Sequence, residues 1–397
     1  MAVERQAGLP QSILLLLGSC LPVLGAVLLA PILPRMQSHF ADTAGAAALV
    51  PIALTIPALM IALLAPFAGM IADRLGRKPL LLGSMALYGV FGLLPLWLES
   101  LPAIVLSRAG LGVAEAGIMT CCTTLMGDYY SGPRRERLFA LQTVASSFSA
   151  VVFITAGGML GQDDWRVPFM LYASGLVFMP IMAWALWEPQ KPAAAKFVEP
   201  AQLFPWAALL PLYVLSLLAG ISLFIVPVQV GYLLNLLHVD SPQQIGMTMG
   251  ANQFGVLAGA LSFRLLGSIR SARLLLLAFA IAGVGGLMMA SANSHALMVW
   301  AVLVNGLGIG LMLPTLITSV MVEVAYQQRG RATGGFMAAL FAGEFVSPLA
   351  VLSLSGGAVV ELPSALAVVA WGQLTIALAC LVIPRLFRPS IASAPSL

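Results

Sequence analysis

Twelve apolar runs separated by short polar breaks take up most of this 397-residue chain, and they limit what it can fold into more than any other feature. We place them at 11–33, 46–72, 80–98, 102–127, 137–161, 167–187, 204–232, 243–264, 273–292, 296–322, 332–356 and 363–384. Each reaches the roughly 17–25 residues that a helix needs to cross a bilayer. Backbone polar groups in lipid must be satisfied within the protein, which leaves helices or closed barrels, and continuous runs of this length exclude the alternating pattern of a barrel strand. The expected fold class is therefore an all-α membrane protein with twelve transmembrane helices. Composition agrees: 60% of residues are hydrophobic and 9% charged, where a soluble domain carries about 25% charged residues.

The formal charge of +4 does not point to nucleic acid, because the basic residues are sorted by side. Arg5, Arg74, Arg77, Lys78, Arg134, Arg135, Arg137, Lys191, Lys196, Arg264, Arg270, Arg273, Arg329, Arg331, Arg385 and Arg388 all fall at the ends of the chain, in the central break or in the even-numbered loops. The opposite side has only Arg35 and Arg166. The positive-inside bias then puts both termini in the cytoplasm, with the lipid bilayer as the main partner. The first apolar run is expected to stay as a span, since it is too long for a signal peptide and lacks a small-residue cleavage site.

Cys20, Cys121, Cys122 and Cys380 lie inside apolar runs and read as small buried hydrophobes. His39, His238 and His295 stand in or beside external loops without ligand spacing, so no metal or other cofactor is expected.

The chain divides at 188–203, where two prolines and two lysines in Glu-Pro-Gln-Lys-Pro-Ala-Ala-Ala-Lys interrupt the apolar pattern. The expected organisation is an N-terminal six-helix bundle over 1–187, a cytoplasmic linker, and a C-terminal six-helix bundle over 204–397. The halves repeat: Gly110-Leu111-Gly112-Val113 in the fourth span aligns with Gly306-Leu307-Gly308-Ile309 in the tenth. Such repeats are a recurring transporter architecture with substrate bound near the midplane.

Between the second and third spans runs Gly69-Met70-Ile71-Ala72-Asp73-Arg74-Leu75-Gly76-Arg77-Lys78, a burst of charge in a chain with little elsewhere. Gly69 suits close helix packing, Gly76 a tight turn, and Pro79 the first position of the next helix. This run matches G-x-x-x-D-R-x-G-R-[RK], and on it the chain resembles the major facilitator superfamily, loosely its bacterial drug:proton antiporter-type efflux permeases. The echo in the second half has Phe263 where the first has Asp73. The resemblance implies a fold of two pseudo-symmetric bundles and an inner gate at Gly69, Asp73, Arg74, Gly76, Arg77 and Lys78, with Asp73 facing a helix N-terminus. The Gly127-Asp128-Tyr129-Tyr130 loop with Arg134, Arg135 and Arg137 reads as a solvated face or as a partner of that gate.

Arg108 and Glu115 stand seven residues apart in the fourth span, on one helix face and roughly 10 Å apart along the axis, too far for an ion pair but able to line one cavity. An acid near the midplane costs about 2.5–3.5 kcal/mol on insertion scales and marks a functional site by default. The aligned position in the other half is Leu311, so the fold accepts an apolar residue there. Glu344 in the eleventh span lies at similar depth. Glu115 and Glu344 are thus proton-coupling candidates, joined by Arg108 through its match to the family's arginine motif. The substrate-cavity candidates are Arg108, Glu115, Asn252, Gln253, Asn305, Phe341 and Glu344. Asn252, Gln253, Asn305 and Gln142 can also simply join helices, and Phe336 and Phe345 share the reading of Phe341.

Two features depart from the efflux pattern. Of G-P-x-x-G-G in the fifth span only Gly157-Gly158 remain, with Phe153-Ile154 at the Gly-Pro positions, and the first span lacks an acid. An intramembrane enzyme is disfavoured, since no histidine lies within a span and no phosphate-binding loop is found. The expected function is monomeric, proton-coupled efflux of a small amphipathic or cationic compound across a bacterial inner membrane. The alternative is uptake or facilitated export of a nutrient or metabolite, such as a sugar, an organic anion or a siderophore-like molecule.

Overall fold

The computed structural model describes residues 7–189, 204–266, 269–325 and 328–382. An apolar run in lipid has its own backbone as its hydrogen-bond partner, and the chain is accordingly helical. The helices are α1 (Leu9–Val27), α2 (Leu33–His39), α3 (Ala46–Leu75), α4 (Arg77–Leu93), α5 (Leu101–Tyr129), α6 (Gly132–Leu160), α7 (Ala173–Ala185), α8 (Trp206–Leu236), α9 (Pro242–Leu265), α10 (Ser271–Ala290), α11 (His295–Val322), α12 (Arg329–Ser355) and α13 (Leu362–Val382). Among the described residues, eleven helical segments are long and apolar enough to cross a membrane. The remaining expected span, 243–264, is helical as α9, but Gln243, Gln244, Asn252 and Gln253 make it more polar than the rest.

The chain separates into two compact units. Unit 1 comprises Met1–Glu199 with Ser241–Gly250, and unit 2 comprises Pro200–Asp240 with Ala251–Leu397. The division differs from the expected one in that the first turns of α9 group with unit 1. Most of the expected linker, from residue 190 onward, lies outside the described residues, whereas Glu188 is tied to the start of α4.

Without a hydrophobic drive between helices in lipid, small residues set how closely they pack. In unit 1, α5 packs on α3, α4 and α1, and Gly112 lies on the backbone of Pro57. In unit 2, α8 packs on α12 through Gly220 and Gly343, whose missing side chains admit the Leu340 and Leu217 carbonyls. Gly69 does not serve this purpose. A side chain there would meet no atom within 4 Å, so the close packing expected at that glycine is absent. Pro79 is also displaced from its expected position: α4 starts at Arg77, which puts the proline at the third helical residue, still within the turn whose N–H groups have no intrahelical acceptor.

Candidate functional site

Pro57 lies inside α3 and has no N–H, so the carbonyl of Ala53, four residues earlier, loses its helical donor. Gly25 lies in the last turn of α1, where carbonyls also run out of intrahelical partners. Arg108 on α5 meets both vacancies. Its Nε donates to Ala53 O at 3.1 Å, its Nη2 to Gly25 O at 2.7 Å, and its Nη1 to the Tyr172 hydroxyl at 2.6 Å. The side chain is 0% exposed. Arg108 therefore does not line an open cavity, contrary to expectation; its donors are directed at backbone and tyrosine oxygens that fasten α1, α3 and the segment before α7 to α5. Tyr88 reinforces the arrangement, donating to Leu21 O at 2.8 Å and packing its ring 5.3 Å from that of Tyr172.

Glu115 occupies the middle of α5, about 21 Å from either end at 1.5 Å per residue. It is 1% exposed, and neither carboxylate oxygen has a hydrogen-bond partner. Arg108 does not pair with it. Glu115 Oε1 fills the position that a side chain at Gly25 would take. The acid thus lies against the Gly25 backbone on the same helix as a fully engaged arginine.

Unit 2 contains the other acid and most of the polar candidates. Glu344 is 4% exposed near the middle of α12. Asn252 donates to Val302 O at 2.7 Å and Asn305 to Ala282 O at 3.0 Å, so both join neighbouring helices. Leu311, the counterpart of Glu115, is buried in an apolar cluster with Ile309, Met312 and Leu316. Gln253 and Phe341 are half-buried, and Phe336 is buried. In unit 1, Gln142 donates to Ser19 Oγ at 3.0 Å and Thr123 Oγ1 at 3.2 Å.

At the charged turn, Gly76 adopts φ +89° and ψ 143°, a conformation that favours glycine, and α4 begins at the next residue. Glu188 accepts from the backbone N–H groups of Arg77 and Lys78, both at 2.8 Å, which satisfies two of the orphan donors at the start of α4. Arg77 pairs with Asp73 at 3.4 Å and, more closely, with Asp128. Arg74 is exposed and Lys78 half-buried. The sequence reads Glu188 as the first residue of the linker and gives it no part in this cluster. Its acidity was the available signal; its place at the basic turn, 110 residues from Lys78, is set by the fold.

A family model described as Major Facilitator Superfamily matches residues 15–348. The chain is similar to the tetracycline resistance protein, class C, of Escherichia coli: 28% identical over 208 residues, covering 49% of this chain and 51% of that protein. It is also similar to the bacillibactin exporter of Bacillus subtilis (strain 168), at 26% identity over 37% of each chain. The chain thus spans about half or less of the length of these relatives. Among solved structures, a bacterial homologue of the human lysosomal transporter Spinster, in an inward-facing and occupied conformation, matches with a TM-score of 0.76. That match has 15% identity and covers 97% of this chain and 98% of the other. A family match over most of the chain, with the same fold over nearly all of it, accounts for the multi-pass membrane architecture, and the chain belongs to the major facilitator superfamily.

Proposed function

We propose that the chain exports a small amphipathic or cationic compound in exchange for protons, by alternating access of its two halves. The observation that carries this reading is Glu115. A buried carboxylate without partners costs far more when charged than when neutral, so the side chain suits repeated loading and unloading of a proton. Arg108, already bound to three oxygens, is poorly placed to capture an anionic substrate. The names of the tetracycline and bacillibactin relatives favour export. Uptake or facilitated release of a metabolite is the second reading, favoured by similarity to the 3-(3-hydroxy-phenyl)propionate transporter of Escherichia coli, at 27% identity over 42% of this chain. The proposed setting is a bacterial inner membrane with both termini cytoplasmic and the protein acting as a monomer.

The test is transport of tetracycline and of a panel of organic cations by reconstituted vesicles under an imposed pH gradient. Glu115→Gln preserves size and mimics the protonated acid, so it is expected to abolish gradient-driven transport while leaving exchange of substrate against substrate measurable. Full gradient-driven transport by that variant would remove Glu115 as the proton carrier.

A further inference from the structure

We infer that Gly25 is a positioning residue for Glu115, and that the acid exchanges its proton only when its side chain leaves the seat over Gly25; the inference rests on the proton-carrier reading of Glu115. Three observations carry it. First, the three atoms nearest to where a Gly25 side chain would stand are Oε1, Cδ and Oε2 of Glu115, so the absent side chain at this position makes room for this carboxyl. Second, Glu115 is 1% exposed and both its oxygens lack partners, so in the seat it meets neither water nor a proton acceptor. Third, Gly25 is not free to drift, because its carbonyl holds Arg108 Nη2 at 2.7 Å, one of three bonds that fix the guanidinium.

One glycine therefore faces α5 in two ways. Its carbonyl anchors the arginine and its bare α-carbon receives the acid. The charged and titratable groups that act on Glu115 are Arg108 on its own helix, Tyr88 on α4 and Tyr172 on the segment before α7. From α1, Gly25 presents no side chain to the carboxyl. Proton release then requires α1 and the Glu115 side chain to part, which makes the α1–α5 contact a switch for the proton inside a single unit.

The experiment uses the full chain in detergent and four proteins: wild type, Gly25→Ala, Glu115→Ala and the double variant. Two readouts are followed, the thermal unfolding midpoint and the rate at which a hydrophobic carbodiimide labels Glu115, scored by peptide mass. Gly25→Ala is expected to lower the midpoint and to raise Glu115 labelling, because the methyl group evicts the carboxyl. In the Glu115→Ala background the same substitution is expected to leave the midpoint unchanged. If Gly25→Ala alone fails to fold, rescue by Glu115→Ala supports the seat equally. An equal loss in both backgrounds, or unchanged labelling, overturns it. Neither readout depends on transport. A confirmed seat together with a Glu115→Gln protein that still couples to the pH gradient would therefore defeat the proton-carrier reading and, with it, the switch.

Discussion

Arg108 and Glu115 share α5, and neither reaches solvent, yet the arginine has three acceptors and the glutamate no donor. The difference lies in the neighbouring backbone. Pro57 and the end of α1 leave carbonyls that need a donor, and a guanidinium supplies donors only. No group in the same neighbourhood donates to a carboxylate.

Arg108→Lys should therefore be destabilising although it keeps the charge. An ammonium on a flexible stem cannot reproduce the planar fork that reaches Ala53, Gly25 and Tyr172 together. Each bond to a charged group that is lost costs about 1.5–3 kcal/mol, so the unfolding midpoint of the purified protein should fall clearly. A midpoint equal to wild type would show that the three bonds are not what fastens α1 and α3 to α5.

The charged turn makes a graded prediction. Asp73 is 67% exposed and its bond to Arg77 spans 3.4 Å, whereas Asp128 is 27% exposed and sits closer to the same guanidinium. Exposed pairs contribute about 0–1 kcal/mol. Asp128→Asn should thus cost more stability than Asp73→Asn, and both costs should shrink in high salt, where the screening length is shorter, the more exposed Asp73 pair losing its share first. Asp73→Asn is expected to slow turnover more than it weakens substrate binding, as a gate residue would. Identical unfolding of the two variants at low salt would contradict the ranking.

Glu188 and Gly76 should act together at the start of α4. Glu188→Ala removes an acceptor from two backbone N–H groups, a loss of about 0.5–2 kcal/mol for a helix cap. Gly76→Ala forces a side chain into a backbone region that L-residues avoid, at about 1–3 kcal/mol. Hydrogen exchange of the Arg77 and Lys78 amides checks both, and wild-type protection in either variant would deny the cap.

Much of this architecture was legible in the chain because lipid simplifies the problem. Long apolar runs without internal breaks can only be helices, so the element type follows from the sequence alone. The depth of Glu115 follows from counting along one helix. Its environment does not, because Gly25 lies 90 residues away in sequence and Tyr172 is 64 from Arg108. Helical periodicity says which face a residue occupies but not which helix meets that face. Pro57 was a usable clue to the Ala53 acceptor, though not to Arg108 as its donor. α9 shows the reverse difficulty: its glutamines and Asn252 weaken the membrane signal of a helix that the fold still forms.

Orientation has a direct test in the first turn of α6. Arg135 is exposed there, one of three arginines in four residues. With the native cysteines replaced, Arg135→Cys should react with an impermeant thiol reagent only after the cell membrane is opened. Labelling in intact cells would reverse the assignment of both termini.

The two acids should separate by function. Glu115 is bare at its oxygens and seated against backbone in unit 1, while Glu344 sits in unit 2 on α12, between the half-buried Phe341 and Phe345. A group without partners is suited to carrying a proton; an acid flanked in sequence by two half-buried aromatic residues, whose ring faces attract cations, is the candidate for meeting a cationic substrate. Glu344→Gln should accordingly weaken binding of organic cations, read as lost ligand-induced thermal stabilisation at neutral pH, and reduce transport through that loss. Its residual transport should still respond to the pH gradient. Glu115→Gln should do the opposite, keeping ligand-induced stabilisation and losing the response to the gradient. If Glu344→Gln alone abolished gradient coupling with binding intact, the roles would be exchanged and the proton would belong to α12.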